Sequence, residues 1–212
     1  MNESEAARRS YLRARLSEED LADDPVRQIG IWMQHALDAA IVEPYAMSLS
    51  TVSADGRPSS RVVLMRGCDE RGLVFYTSYQ SRKGRDIGVN PRVAALFYWP
   101  ELERQIRVEG TAEQIDESES DDYFAGRPRG HQISAWASEQ SEPLQSRDVL
   151  EQRVADYETR FAGEDVPRPH SWGGYLIRPE RIEFWQGREN RMHDRIEFVR
   201  DGARWTRRRL SP

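Results

Sequence analysis

Arginine residues interrupt several apolar segments of this sequence, and they are the first residues that suggest chemistry. Arg61 and Arg66 enclose four apolar residues in the segment RVVLMR. A planar guanidinium binds a phosphate through two parallel hydrogen bonds, so arginines in such positions suit an anionic ligand. Simple exposure or an internal ion pair is the alternative interpretation of either arginine taken alone.

A second anion site is indicated where Ser81, Arg82 and Lys83 begin a short predicted helix over residues 81–89. A helix N-terminus carries partial positive charge and unpaired N–H groups, and a hydroxyl and two cations add to both. A helix start that is merely solvated is the alternative.

Two further basic groups follow along the chain. Arg127 and Arg129 come after Tyr123, and Arg191 and Arg195 flank His193. The cations suffice for two separate phosphates, and a histidine between arginines is placed to act near an anionic ligand. Trp136 and Trp185 offer flat surfaces for a ring, although tryptophan more often fills a core.

Composition narrows the functional classes. The chain has 212 residues, a formal net charge of −5 and one cysteine, Cys68, so bulk attraction to nucleic acid, an internal disulfide and a cysteine metal cluster are not expected. Glycine-rich dinucleotide and phosphate loops, tight histidine metal spacing and a serine-nucleophile elbow are absent, and no metal is expected.

The first 21 residues are polar, and the longest apolar run, Val93–Trp99, is too short to span a bilayer. We therefore expect a cytoplasmic protein without membrane contact.

The elements that must position these residues follow from periodicity. A helix is predicted over 25–41 and another after Ser146, and strands are predicted over 46–53, 61–66, 73–78, 92–99, 104–115, 174–177, 181–186, 195–200 and 204–210. Gly-containing turns at 69–72 and 201–202 predict antiparallel hairpins, the first of them between strands 61–66 and 73–78. Strands do not alternate with helices, which favours a mainly β fold, an antiparallel barrel with flanking helices. Residues 1–23 are predicted to be a mobile N-terminal arm, and residues 24–212 a single domain.

Six segments, in order, resemble the pyridoxine/pyridoxamine 5′-phosphate oxidase family. They are RVVLMR (61–66), FYTSYQSRKG (75–84), NPRVAALFYWPELERQIRVEG (90–110), YFAGRPRGHQISAWASEQS (123–141), SWGGYLI (171–177) and IEFWQGRENRMHDR (182–195). The resemblance covers roughly residues 25–212. It implies an FMN-binding split β-barrel and a homodimer with two FMN sites at the subunit interface.

The resemblance also implies an activity and a set of site residues. The family oxidises the 4′ carbon of pyridoxamine or pyridoxine 5′-phosphate to give pyridoxal 5′-phosphate, with electrons passing through FMN to O₂. The implied FMN contacts are Arg61, Val62, Val63, Leu64, Met65, Arg66, Tyr76, Thr77, Arg82, Lys83, Gln105, Gln140, Ser141, Trp185 and Arg195, with Arg82 and Lys83 on the phosphate. The implied substrate contacts are Arg8, Tyr11, Arg66, Tyr123, Arg127, His131, Arg191, Met192 and His193. Arg191 and His193 are the implied catalytic residues, and Arg8 and Tyr11 lie in an arm segment that can fold over the substrate.

Two positions depart from the family pattern. Arg66 stands where the family usually has lysine, and His131 stands where it often has serine, both near the substrate phosphate. Each replacement keeps a hydrogen-bond donor but changes its shape. Three alternative functions are a non-catalytic carrier of flavin or pyridoxal phosphate, a related oxidoreductase with another flavin-like cofactor or substrate, and nucleic-acid binding through residues 207–209, which the net charge disfavours.

Overall fold

Nine antiparallel strands and five α-helices form the part of the chain that the computed structural model describes, residues 14–212. The strands are β1 (Ala46–Val52), β2 (Pro58–Leu64), β3 (Gly67–Asp69), β4 (Gly72–Ser78), β5 (Arg92–Trp99), β6 (Arg104–Gln114), β7 (Trp172–Gln186), β8 (Asp194–Asp201) and β9 (Arg204–Arg209). The helices are α1 (Pro25–Asp38), α2 (Arg82–Val89), α3 (Glu117–Ala125), α4 (Arg129–Ala137) and α5 (Arg147–Arg160). Within the described range, no helix is long and apolar enough to cross a lipid bilayer.

The strands form one curled sheet in the order β2-β1-β5-β6-β7-β4-β3, with β8 and β9 added beside β7. The chain runs directly from β2, at one edge of the sheet, into β3, at the other edge. The Arg66 N–H donates to the Val74 carbonyl at 2.7 Å just after this crossing. Because β2 and β3 are consecutive in the chain, the two edges of the sheet lie close together and the sheet curls into a partly open barrel. The expected mainly β fold, a split barrel with flanking helices, is therefore confirmed.

Alternation along the strands builds the core. On β6 and β7, Ile106, Val108, Ile182 and Phe184 point inwards and are fully buried, whereas the residues between them face outwards. Helix α1 covers one end of this core, with the Trp32 ring edge-on to Phe184 at 5.1 Å between centroids. It begins as predicted, because the Asp24 carboxylate accepts the Val26 N–H and a proline occupies the first turn.

Helices α3, α4 and α5 form a second layer over one end of the barrel. Their small core contains Phe124, Ile133, Phe161, Val166 and Trp172. The side chain of Ser146 accepts the Val149 N–H and caps α5. This layer forms one wall of the cavity described below.

One long strand replaces the two strands predicted over 174–177 and 181–186. Strand β7 continues through Pro179 because it carries a β-bulge there: the consecutive residues Glu109 and Gly110 of β6 lie opposite Arg181 and Pro179, which leaves Glu180 as the extra residue on β7. A Cβ on Gly110 would overlap the Arg178 carbonyl oxygen, so only glycine permits this close approach.

The hairpin predicted at residues 69–72 forms between different strands. The short strand β3 pairs with β4 across this turn, whereas the segment expected to pair there, 61–66, instead contributes β2 and pairs with β1. A local turn signal indicates where the chain reverses but not which strands become neighbours.

Residues 14–23 of the predicted arm are packed against the barrel. Leu16 and Leu21 are buried and join the main hydrophobic core. The Leu16 N–H donates to Asp194 at 3.1 Å, and Glu18 pairs with Arg209 at 2.8 Å. These residues therefore pack on the barrel, because the two leucines supply an apolar contact that is not evident from the charge pattern, and the mobility of the arm as a whole stays a prediction. The domain boundary at residue 24 stays a prediction.

Candidate active site

A cavity of about 1100 Å³ opens between β2, the end of β4, the start of α2 and the helical layer. Five cationic side chains and one carboxylate, that of Asp122, line it; the cations are those of Arg61, Arg66, Arg82, Lys83 and Arg127. None of these cations forms an ion pair with a carboxylate of residues 14–212. Converging cations repel one another unless an anion neutralises them, so the cavity suits a ligand with more than one negative group.

The start of α2 forms one end of the cavity. The buried Ser81 hydroxyl accepts the Gly84 N–H and caps the helix, and Arg82 follows at the first helical position with its side chain exposed. A Cβ on Gly84 would overlap the Tyr79 carbonyl oxygen, so the helix packs tightly against the end of β4. This close contact fixes the direction in which the helix N-terminus points.

Lys83 is held below the helix start by neutral oxygen atoms. Its Nζ donates to Thr77 Oγ1 and Gln140 Oε1, both at 2.9 Å, and to Ser81 Oγ at 3.3 Å. Burial, and then the charge of Arg61, lowers the pKa of Lys83 to about 8. A buried ammonium without a carboxylate partner gains more from a bound anion than an exposed one does.

Arg61 extends the same end of the cavity along β2. Its Nη1 donates to the Leu49 carbonyl and to Thr51 Oγ1, and its Nη2 donates to Ser59 Oγ at 2.6 Å. Thr51 in turn donates to the buried carboxylate of Asp86. The guanidinium is thus fixed from behind, because the neighbouring strand β1 accepts two of its N–H groups and Ser59, on its own strand, accepts a third.

The helical layer supplies the other end of the cavity. The Tyr123 ring stacks on Tyr76 at 3.7 Å between centroids, and the Arg127 guanidinium lies 4.4 Å from the Trp172 ring centroid. Arg127 Nη1 is buried and has no hydrogen-bond partner within the described residues. A buried, unpaired guanidinium N–H is costly, and an anionic ligand would satisfy it.

Most of the predicted site residues meet in this cavity, but a second group does not. The residues that line it are Arg61, Val62, Val63, Leu64, Arg66, Tyr76, Thr77, Arg82, Lys83, Tyr123, Arg127, His131, Gln140 and Ser141. The Met65 side chain instead points into the core, which leaves only its backbone for a ligand. Arg8 and Tyr11 lie outside the described residues. The remaining predicted residues lie on another surface, namely Gln105, Trp185, Arg191, Met192, His193 and Arg195.

Three residues of the second group form one row across the sheet. Gln105 lies opposite Trp185 in the β6–β7 register, and Trp185 lies opposite Arg195 in the β7–β8 register. All three side chains project from the face of the sheet that is turned away from the core, because Ile106, Phe184 and Ile196 beside them point inwards. We call these three residues the ligand row.

The loop between β7 and β8 brings His193 next to this row. The His193 ring lies 4.6 Å from the Trp185 ring, and its Nδ1 accepts the Arg188 N–H at 3.1 Å. Burial, and then the charge of Arg191, lowers the pKa of His193 below its ordinary value. A neutral ring with the proton on Nε2 is therefore expected at physiological pH.

Backbone strain occurs at both surfaces. Ser141, at the cavity, has φ of 78°, and Asn190 and Arg191, in the β7–β8 loop, have φ of 55° and 61°. Non-glycine residues in this left-handed region cost about 1 kcal/mol or more, and such strain is frequent at ligand sites. The surrounding contacts must therefore hold these segments in place.

Comparison with known proteins then assigns the chain to a family. Residues 33–161 match the family model described as pyridoxamine 5′-phosphate oxidase, and residues 172–212 match the model described as the pyridoxine 5′-phosphate oxidase C-terminal dimerisation region. The chain belongs to the pyridoxine/pyridoxamine 5′-phosphate oxidase family. The family resemblance stated from the six sequence segments is thus confirmed.

Individual relatives agree with this assignment over nearly their whole lengths. A Rubrobacter xylanophilus protein named pyridoxine/pyridoxamine 5′-phosphate oxidase is 62% identical over 205 residues, which cover 97% of this chain and 94% of that protein. A protein of the same name from Cupriavidus necator is 53% identical, with 97% of each chain covered. The structure of PhzG from Burkholderia lata 383, in complex with tetrahydrophenazine-1-carboxylic acid, is 34% identical with a TM-score of 0.90, and covers 96% of this chain and 100% of that one.

The dimerisation region has a structural consequence for the site. Residues 172–212 comprise β7, the β7–β8 loop, β8 and β9, which carry Trp185, Arg191, His193 and Arg195. The match to a dimerisation region supports a homodimer. Five of the six residues of the second group lie in that region, and the sixth, Gln105, is paired with Trp185 from the neighbouring strand β6.

Several cavity residues escaped the sequence-based prediction. They are Ser59, Ser60, Asp122, Gly126, Pro128 and Trp172. Trp172 lies in the segment SWGGYLI, but a tryptophan at a strand start is typical of a core residue. Its contact with the Arg127 guanidinium exists only because the helical layer folds over this end of the barrel. Ser59 was detectable in principle, because it lies two residues before Arg61 on the same face of a strand.

Proposed function

We propose that this protein is a cytoplasmic FMN-dependent oxidase that converts pyridoxamine or pyridoxine 5′-phosphate to pyridoxal 5′-phosphate, with O₂ as the electron acceptor. The observation that carries the proposal is the cavity whose cations, at two ends, pair with no carboxylate of residues 14–212, with an aromatic stack beside them. Two phosphorylated molecules with flat rings match this arrangement of charge. Relatives that are 52–62% identical bear the corresponding name. The cytoplasmic location rests on the sequence alone.

The α2 end of the cavity fits the FMN phosphate. Arg61, Arg82 and Lys83 converge there with a helix N-terminus, and no carboxylate within residues 14–212 is paired with them. Strand residues 61–66, together with Tyr76, Thr77, Gln140 and Ser141, would hold the rest of the cofactor. Bound FMN supplies the chemistry of a two-electron acceptor that O₂ reoxidises.

The helical-layer end fits the substrate phosphate. Arg127 has a buried N–H group that needs an acceptor, and Tyr123, Arg66 and His131 surround it in the cavity lining. Arginine at position 66 offers two parallel hydrogen bonds where lysine would offer a point charge. The cavity volume exceeds the roughly 300–1,000 Å³ of a typical small-molecule site, as expected if it holds most of two ligands.

The second subunit would complete each site. Its ligand row, Gln105, Trp185 and Arg195, would contact the flavin, and its loop residues Arg191, Met192 and His193 would cover the substrate ring. Arg191 and His193 would orient the substrate and stabilise charge that develops at the reacting carbon. The residues that hold the two phosphates would fix both ligands from opposite ends of the cavity and so favour contact between their rings. Arg8 and Tyr11 stay predicted lid residues.

The proposal is tested by identifying the cofactor and the molecules that reduce it. The purified protein should be yellow, and mass spectrometry of the released cofactor should show FMN. Without air, pyridoxamine or pyridoxine 5′-phosphate should bleach the flavin, whereas the same compounds without phosphate should do so only at far higher concentration. A colourless protein, or a flavin that neither phosphorylated compound bleaches, would contradict the proposal.

A second candidate is an oxidoreductase that acts on another ring system. The similarity to PhzG favours it, since that protein was crystallised with tetrahydrophenazine-1-carboxylic acid. A ligand with one carboxylate and no phosphate would leave most of the cations around Arg127 unsatisfied, so the vitamin B6 substrates fit better. The bleaching experiment decides between them if a reduced phenazine carboxylate is included. A bound flavin that none of these compounds bleaches, with no oxygen consumption in air, would instead indicate a flavin carrier.

FMN binding is expected to weaken as the pH rises through about 8. Burial and Arg61 lower the pKa of Lys83 from its ordinary 10.5 to about 8. The phosphate prefers the protonated amine, so affinity is full below that pH and falls above it, by at most about tenfold between pH 7 and 9. The phosphate itself stays dianionic there because its second pKa is about 6. Fluorescence titration of the cofactor-free protein measures the change.

Lys83→Arg is the control for this pH dependence. An arginine stays protonated over the whole range, so the affinity of this variant should be constant between about pH 7 and 9. A fall of equal size in Lys83→Arg would show that another group titrates.

A further inference from the structure

Two buried glutamates lie directly behind the ligand row. Glu183 on β7 and Glu197 on β8 face each other in the strand register, on the same outward face as Trp185 and Arg195. They are 5% and 3% exposed. Two adjacent buried carboxylates repel each other and lose their hydration, so each needs cationic partners.

The partners of the two glutamates differ in one respect. Glu183 accepts from Arg195 Nε at 2.7 Å and Nη2 at 3.0 Å, and from Arg107 Nη1 at 3.0 Å. Glu197 accepts from Arg181 Nη1 at 2.8 Å and from Arg208 Nε at 2.7 Å. The two carboxylates are thus equally buried, lie side by side and are each paired with two arginines. Only Glu183 is paired with a member of the ligand row, Arg195.

The bidentate contact fixes the orientation of Arg195. Two of its five N–H groups point to Glu183, and Nη1 donates a third to the Ser211 carbonyl at 2.9 Å. The remaining two donors then have a defined direction, since the guanidinium is planar and held along one edge. An arginine held in advance loses little side-chain entropy when a ligand binds.

We infer that Glu183 is a positioning residue for flavin binding, which acts by holding the guanidinium of Arg195 in the orientation that a flavin in the partner subunit's cavity requires. The inference rests on the proposed function, in which Arg195 contacts FMN across the subunit interface. Glu197 has no such role, because neither of its arginines belongs to the ligand row.

The matched pair of variants Glu183→Gln and Glu197→Gln tests the inference. Each removes one buried negative charge and keeps the side-chain shape, so we expect similar falls in Tm. Flavin fluorescence titration of the cofactor-free dimers should show FMN binding about tenfold weaker in Glu183→Gln, within the range of couplings between contacting side chains, and changed by less than about twofold in Glu197→Gln. Equal changes in affinity for the two variants would overturn the inference.

The double variant Glu183→Gln/Arg195→Met shows whether Glu183 acts through Arg195. In the Arg195→Met background, Glu183→Gln should change FMN affinity by less than about twofold, because the residue to be positioned is absent. A further tenfold loss there would overturn the inference. If Glu183→Gln does not fold, Glu183→Asp keeps the charge but withdraws the carboxylate from Arg195, and wild-type affinity in that variant would also overturn it. A wild-type protein that binds no FMN would refute the proposed function itself, and the inference with it.

Discussion

Replacing Arg191 by alanine is expected to lower kcat/KM for pyridoxamine 5′-phosphate by about a hundredfold, while the FMN content of the purified protein stays unchanged. Arg191 is exposed on the β7–β8 loop, away from the cavity end assigned to the FMN phosphate. Its left-handed backbone is held in a loop that His193 and Asp194 fix by accepting hydrogen bonds from Arg188. Strained backbone is frequent at functional sites, which agrees with the proposed contact of Arg191 with the reacting substrate.

Arg204→Ala is the control for this substitution. Arg204 is an exposed arginine of the same C-terminal region, and it forms no ion pair with any carboxylate of residues 14–212. Steady-state kinetics and the ratio of flavin to protein absorbance are measured for both variants. If Arg191→Ala loses turnover and FMN in equal proportion, Arg191 is no catalytic residue and instead supports the cofactor.

Arg82→Ala is expected to weaken FMN binding by about 10- to 150-fold, which corresponds to the ~1.5–3 kcal/mol of a charge-assisted hydrogen bond. Arg82 occupies the first position of α2, lines the cavity and has no carboxylate partner among residues 14–212. Its charge is therefore available to the FMN phosphate beside a helix N-terminus. Titration of the cofactor-free protein with FMN, followed by flavin fluorescence, measures the loss.

Arg85→Ala provides the matched control on the same helix. Arg85 is also exposed, but it donates to Glu142 and to the Gln80 carbonyl, both at 2.6 Å, and it does not line the cavity. FMN affinity should therefore change little. An Arg82→Ala protein that purifies with a full complement of FMN would contradict the assignment of Arg82 to the phosphate.

Local patterns predicted the elements well where each depends on neighbouring residues. Helix α1 follows from Asp24, Pro25 and apolar spacing, and β5 has the predicted bounds, Arg92–Trp99. Patterns failed where distant segments meet. The predicted strands 174–177 and 181–186 are one strand, because a bulge on that strand beside Pro179 keeps it paired with β6, and the first hairpin uses β3 rather than β2. The turn at residues 201–202 correctly predicts that β8 pairs with β9, but sequence spacing does not show which strands pair when they are far apart in the chain.

The sequence by itself determined the chemistry available to this protein: cations in strands and at a helix start, aromatic rings, and six segments that place it in an oxidase family. Only the tertiary structure decided how that chemistry is divided. It gathers Arg61, Lys83 and Arg127 in one cavity and places Trp185 and Arg195 on another face of the sheet. The reason is physical. A residue's type and local periodicity act over a few neighbours, whereas the partners of Lys83, such as Gln140 at 57 residues' separation, are set by how the whole sheet curls.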